Sequence, residues 1–452
     1  MQYIKDKKTN VLYNLTTLRR GKNKLIETNT QLTLLGKTFN ITEKNNKKVN
    51  KELEEILKYV AWFSYRKHFK SIRSLEKDYK LTSDSGWGCM IRAGQMMLFV
   101  CLMKYYRSDD RNKLKYRLLS KYFKENNSIN KNSHSVDEIL GDFKALDEKD
   151  FNFEEKKYKE QVEREINDSV KSDKNLLNEF MDLSQVMKSH NKESLSDVQT
   201  KSSINTMDEV NPYDLFSIQN FVIKALIHLD TEPSSWFRPT TFLIILQRII
   251  QENFDNLKMI NIIHNTFVFK EIHEAVFDSK TDLSKSDIKT AINKLKTSRW
   301  DNKLILCIST MLGLKTLDPT YKVFLDKLMS PKSFCGFLGG QKQFAYYIIG
   351  KNNKNTYYYL DPHYVKETVT DYNNTELLES NYFKKNILQI ETNELSSSVS
   401  LVFYLENKDD FKELWDILDE LKEHYGDDYF MSYMLENLYG SDNAENECIM
   451  TF

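Results

Sequence analysis

Residues 82–98 read TSDSGWGCMIRAGQMML, and the reading of the fold turns on the cysteine in their middle. Ser85, Gly86, Trp87 and Gly88 form a turn. Beyond it Met90, Ile91, Met97, Leu98, Cys101 and Leu102 recur at helical spacing with no proline, which predicts a helix whose first turn contains Cys89. A thiol attacks as its thiolate, and a helix N-terminus favours that anion. By itself this placement is ambiguous, because free cysteines are often only small buried residues. Cys101 on the same helix, Cys307 in a strand, Cys335 in a loop and Cys448 in the tail take that plainer reading.

Cys89 therefore needs a base. Of the eight histidines, His68, His134, His190, His228, His264, His273 and His424 lie in polar segments or helices. His363 instead ends residues 357–363, YYYLDPH, where a strand runs into Asp361, Pro362 and His363. Two residues apart in extended chain, Asp361 and His363 point to one side, and Pro362 fixes φ between them. A carboxylate beside the imidazole sets its tautomer and stabilises the imidazolium formed when a thiol gives up its proton. The backbone N–H of Cys89 and the hydroxyl of Tyr65 are candidate donors to an oxyanion. Gly339, Gly340 and Gln341 precede a hairpin; paired glycines there permit a loop that moves or that lets another backbone come close, beside the plainer reading of an ordinary turn.

Outward from these segments, the chain of 452 residues is long enough for one large or two ordinary domains. Residues 1–50 are rich in Lys, Asn and Thr and read as a mobile lead-in with one short strand near 32–39. Residues 51–124 read as the first part of a core, in which Ile56, Leu57, Val60, Ala61 and Phe63 to Tyr65 predict an amphipathic helix. Residues 125–210 are polar and read as a poorly ordered insertion. Residues 211–425 read as the second part of the core. Asn211 and Pro212 would start one helix, Pro239 another, and 409–424 a third. Strands are expected at 260–268, 304–308 and 401–405, with a hairpin from 345–349 and 357–360 across a polar turn. Residues 426–452 read as a frayed tail. Elements come in blocks without repeats, so the expected class is α+β.

Lys plus Arg and Asp plus Glu each number 65, so no global field points to nucleic acid. No apolar run is long enough to span a bilayer, and the start lacks a secretory signal. Five cysteines without a CxxC pair argue against a disulfide framework and against a zinc cage; no metal or cofactor is expected, and a reducing cytoplasm fits.

Residues 82–98 resemble the nucleophile segment of the autophagins, the cysteine peptidases of autophagy. Phe63-Ser64-Tyr65-Arg66, Phe216-Ser217-Ile218 with the Trp236 segment, and Gly339-Gly340 followed by Leu360-Asp361-Pro362-His363 agree in order. The resemblance implies a papain-like fold with a small auxiliary region. It implies cleavage after the C-terminal glycine of the ubiquitin-like autophagy modifier, both in its precursor and in its phosphatidylethanolamine conjugate. Autophagic membranes would then be met through the substrate, by a monomer. Carried over, Cys89 is the nucleophile, His363 the base, Asp361 its partner and Tyr65 an oxyanion donor. Trp236 lies over the substrate's glycine, and Gly339, Gly340 and Gln341 open a masking loop. The sequence departs from the family at Gln341-Lys342, where a basic residue and proline are usual, and at Phe237-Arg238-Pro239, where a glycine is missing. Phe254 to Leu257 and Trp415 to Leu418 fit modifier-binding motifs but read as core packing. Two alternatives stand beside this reading: a peptidase for a ubiquitin-fold modifier, which shares Gly-Trp-Gly-Cys and Asp-Pro-His, and a modifier-binding protein without catalysis.

Overall fold

The computed structural model describes residues 29–73, 80–125, 214–278 and 287–436. In chain order, strands β1 (Thr30–Leu34) and β2 (Lys37–Ile41) are followed by helix α1 (Asn46–Leu57), β3 (Arg66–Arg73) and β4 (Lys80–Ser83). Next come α2 (Cys89–Tyr106), α3 (Arg111–Tyr122), α4 (Ile218–Leu229) and α5 (Pro239–Asn253). Then follow β5 (Leu257–Ile262), β6 (Thr266–Val268), α6 (Phe269–Val276), α7 (Ile288–Thr297), β7 (Lys303–Thr316) and α8 (Lys322–Leu328). The chain continues through β8 (Phe334–Gln341), β9 (Phe344–Asn352), β10 (Thr356–Leu360), β11 (Lys366–Glu367), β12 (Leu388–Glu391) and β13 (Ser396–Leu405) to α9 (Lys408–Tyr425) and β14 (Ser432–Met434).

A mixed sheet in the order β12-β10-β9-β8-β13-β7-β5 carries the fold, with β1 on β9 and β2 on β1. Only β5 and β7 run parallel within it. Because strand side chains alternate, each strand feeds two cores. Leu338, Ala345, Tyr347, Ile349 and Val402 join the core built around α2 and α5. Phe337, Tyr346, Ile348, Leu401 and Phe403 join the opposite core, with Phe411, Trp415 and Leu418 of α9. The result is a helix–sheet–helix sandwich. Each large apolar side chain so buried contributes roughly 1.5–3 kcal/mol.

Helix α2 lies inside the first core, and its residues from Cys89 to Met103 are buried on every side. This all-round burial explains why its sequence is apolar on more than one stripe. The other helices show their start signals locally. The Ser217 hydroxyl accepts from the Asn220 N–H at 3.2 Å, Pro239 sits at the head of α5, and Asn407 accepts from the Asp409 N–H at 2.9 Å.

Several sequence expectations change. Residues 30–41, assigned to a mobile lead-in with one strand, form a two-strand hairpin whose β1 pairs with β9, since Leu32, Leu34, Phe39 and Ile41 all bury. The helix expected through Tyr65 ends at Leu57; Val60, Ala61, Phe63 and Tyr65 are buried in an irregular segment before β3 instead. Burial there is two-sided, so periodicity misled. The helix expected from Asn211 starts at Ile218 under the Ser217 cap. Within the tail, β14 pairs with β6. The polar stretch 125–210 lies outside the described residues except for Glu125.

Candidate active site

The turn before Cys89 is built on Asp84. Its carbonyl accepts from the backbone N–H groups of Trp87 and Gly88, at 3.2 and 2.9 Å, which tightens residues 84–88 into the start of α2. Its carboxylate is buried, accepting from the Arg66 N–H at 2.6 Å and from Arg92 Nε at 2.5 Å. Arg92 also pairs with Glu125 and donates to Gln95 Oε1 at 3.1 Å. Burial pushes the Asp84 carboxyl up despite the opposing pull of Arg92. For Arg92 burial acts downward, but Asp84 and Glu125 outweigh it and raise the guanidinium further. This ion group locks the turn, α2 and the segment at Glu125 together. Removing one member would strand a buried charge.

Cys89 heads α2 and is 2% exposed. Its Sγ accepts from Trp236 Nε1 at 3.1 Å, and it has further hydrogen bonds to His363 and to the backbone N–H of Ala345. Burial alone would push the thiol up, but the His363 bond and charge, with Ala345 and Trp236, hold it below its ordinary value. Opposite, His363 Nδ1 meets Asp361 Oδ1 at 2.5 Å, and the same oxygen accepts from the His363 backbone N–H at 2.9 Å. The second ring nitrogen is thus left for Cys89. Burial would lower the imidazole; the bonds to Asp361 and Cys89 instead raise it to about 9. Both shifts favour the ion-pair form, thiolate beside imidazolium, over the neutral one.

Aromatic rings fix the imidazole. Tyr65, Phe344 and Tyr346 meet it edge-on, with centroids at 5.4, 4.9 and 5.8 Å. Trp62 Nε1 donates to the Asp361 carbonyl at 2.8 Å, and the Tyr65 N–H to the Pro362 carbonyl at 2.9 Å. The structure therefore brings Cys89, His363, Asp361, Tyr65 and Trp236 into one place.

Of the uses open to the glycine pair, the structure shows the close approach of a second backbone and not the moving loop. Gly339 and Gly340 lie in β8, paired with Tyr346 and Ala345 of β9, and not in a loop. A Cβ on Gly340 would sit 1.9 Å from the Phe344 carbonyl oxygen, so the glycine serves close strand approach. The turn that follows is Lys342 and Gln343, and Gln341 Nε2 donates to Glu394 Oε1 at 3.2 Å. A cavity of about 390 Å³ opens between Met90, Trp236, Arg238, Gly340, Lys342 and the Ser400 end of β13.

Sequence reasoning missed Glu125, Phe344 and Tyr346. Asp84 and Arg92 were inside the quoted motif; an acid and a base eight residues apart among apolar residues was the available signal. Phe254, Leu257, Trp415 and Leu418 are buried in the cores, as their core reading expected. His273 is likewise buried, its Nε2 against the Ala291 carbonyl at 2.9 Å. Among the described residues no cluster of His, Cys, Asp or Glu is placed to hold a metal ion, and no helix is long and apolar enough to cross a membrane.

A buried cysteine at a helix N-terminus, hydrogen-bonded to an imidazole that an aspartate at a strand end holds, defines a site of the cysteine-peptidase type. The chain belongs to the peptidase C54 family, whose catalytic-domain model matches residues 50–417. It is 24% identical over 368 residues to cysteine protease ATG4D of Xenopus laevis, covering 79% of this chain and 65% of that relative. Over 403 residues it is 27% identical to cysteine protease atg4 of Dictyostelium discoideum, covering 79% and 51%. It is 22% identical over 358 residues to human cysteine protease ATG4C, covering 78% and 67%. The chain thus spans between about half and two thirds of the length of these relatives. Family membership implies the papain-like form of the α+β class.

Proposed function

We propose that this chain is a cysteine peptidase that cleaves after the C-terminal glycine of the ubiquitin-like autophagy modifier, both in its precursor and in its phosphatidylethanolamine conjugate. The observation that carries the reading is the line from Asp361 through the His363 ring to Cys89, with the Trp236 indole on the sulfur. In this reading the Cys89 thiolate attacks the glycine carbonyl carbon. The oxyanion takes hydrogen bonds from the Cys89 N–H and the Tyr65 hydroxyl. The tetrahedral species collapses to a thioester as His363 gives its proton to the leaving amine, which belongs to a peptide or to ethanolamine. A water deprotonated by His363 then frees the glycine carboxylate and restores the thiol.

Trp236 is 46% exposed while the sulfur beneath it is nearly closed off, so the indole acts as a cover that the glycine tail displaces. The Gln341–Phe344 turn takes the gating role first given to a glycine loop. Met311 of β7, 38% exposed, lines the cavity together with Trp236. Exposed Met311 and the Trp236 indole at the cleft mouth suit a docking partner, here the body of the modifier. The enzyme works as a monomer in the cytoplasm, without cofactor or nucleic acid, and meets autophagic membranes through its substrate.

The test offers the purified protein the autophagy-modifier precursor and a ubiquitin-fold-modifier precursor side by side and follows release of the residues beyond glycine. Cleavage of only the second moves the substrate to the alternative. Binding of the first without any cleavage makes this a modifier-binding protein.

A further inference from the structure

A separate cavity of about 550 Å³ opens between the β1–β2 turn, the end of α1 and the far half of α2. Val100, in its floor, is eleven residues along α2 from Cys89, roughly 16 Å at helical rise. The floor is apolar: Leu35, Ile56, Val60, Val100 and Met103. The charged residues lining it are Lys37, Lys104, Arg111 and Lys332, with no acid, in a chain whose acids and bases balance at 65 each.

The cations differ in availability. Lys37 is matched by Glu52 at 2.8 Å. The Lys104 ammonium is anchored by the carbonyls of Lys332 and Phe334, at 2.8 and 3.0 Å, and its charge also reaches the Asp410 carboxyl. Arg111 stacks over the Tyr59 ring at 4.0 Å, which holds its guanidinium at the rim. Lys332 is exposed; its backbone N–H, at 3.3 Å from Glu413, leaves the ammonium uncommitted to that acid.

The turn adds an independent observation. Leu35 and Gly36 both have positive φ, 47° and 78°. Such two-residue turns favour Asn-Gly or Asp-Gly. A leucine there goes against turn chemistry, and its half-buried side chain lines the cavity.

We infer that this cavity takes one anionic phospholipid from a bilayer surface. The phosphate sits on Lys104, Arg111 and Lys332, and the start of an acyl chain lies on Leu35, Ile56, Val100 and Met103. An acyl chain needs no hydrogen bonds, which suits this floor; a peptide backbone would leave its polar groups unmatched there. The chain's own residues 1–28 are unsuited, carrying seven Lys and Arg against two acids. The inference is independent of the chemistry at Cys89.

Co-flotation of the full chain with phosphatidylcholine vesicles, with and without phosphatidylserine, tests it. Binding is expected only with phosphatidylserine. Lys332→Glu and Arg111→Glu should each lower partitioning roughly fivefold or more, on the scale of one basic residue at an anionic surface. Leu35→Asn, which suits the positive φ and so should fold, is expected to lower it about threefold, near the value of a partly lost apolar contact. Alkylation of Cys89 should stay unchanged in all three variants. Soluble short-chain phosphatidylserine should compete, and inorganic phosphate at the same concentration should not. Equal binding to pure phosphatidylcholine, undiminished binding by the variants, competition by free phosphate, or displacement by an acidic peptide but not by the short-chain lipid would each overturn the proposal.

Discussion

Cys89 and Cys101 lie on one helix, both almost fully buried, yet their thiols are driven in opposite directions. At Cys101 burial dominates and, with Cys335 alongside, raises the thiol well above its ordinary value. At Cys89 the same burial penalty is overcome by His363, Ala345 and Trp236. Burial therefore does not decide which thiol is lowered. Donors brought from β9, from the end of β10 and from the loop before α5 decide it, and they reach only the first turn of α2.

Replacing Cys89 by Ser should break this contrast most severely, lowering cleavage of the modifier precursor by about 10⁴-fold or more while leaving its binding near wild type. Retained cleavage would remove Cys89 from the chemistry. Next, Asp361→Ala should cut kcat by roughly 10²- to 10⁴-fold with little change in KM, because the imidazole loses its orienting partner. A loss in KM alone would contradict that role.

The pH profile sharpens the comparison further. His363 is raised to about 9, so its proton is present below that value, and kcat/KM should fall as pH rises through it. Asp361→Asn should move that alkaline limb to lower pH; an unmoved limb would mean another group titrates there. Smaller again, Met311→Asp should raise KM for the whole modifier roughly tenfold and leave kcat intact, as measured on the precursor. The smallest effect on turnover is expected from Cys101→Ala: unchanged activity, with stability reduced by about 1 kcal/mol in a denaturant titration.

Much of the site was legible because its groups are short-range in sequence. Gly-Trp-Gly before an apolar helical run announces a cysteine at a helix start. Asp-Pro-His after a tyrosine-rich strand announces an oriented imidazole, and the 2.5 Å contact follows from residues two apart. The hairpin of β9 and β10 and the helices at Pro239 and Lys408 also carry local signals. What failed was where burial is two-sided or tertiary. Val60 to Tyr65 look helical by composition but form an irregular buried segment that ends at Tyr65 beside His363, and Gly339-Gly340 look like a loop but are held in β8 by pairing with β9.

By itself, then, the sequence determined the helix headed by Cys89, the Asp361–His363 unit and the α+β class, since each depends on neighbours a few residues apart. The tertiary structure alone decided that His363, some 270 residues from Cys89, lowers that thiol and not Cys101, that Glu125 completes the ion group under the turn, and that Trp236 covers the sulfur. These depend on long-range packing of sheet against helix, which leaves no periodic trace in the chain. Cys89 is thus marked by its local turn, but its thiol is lowered by residues that only folding brings to it.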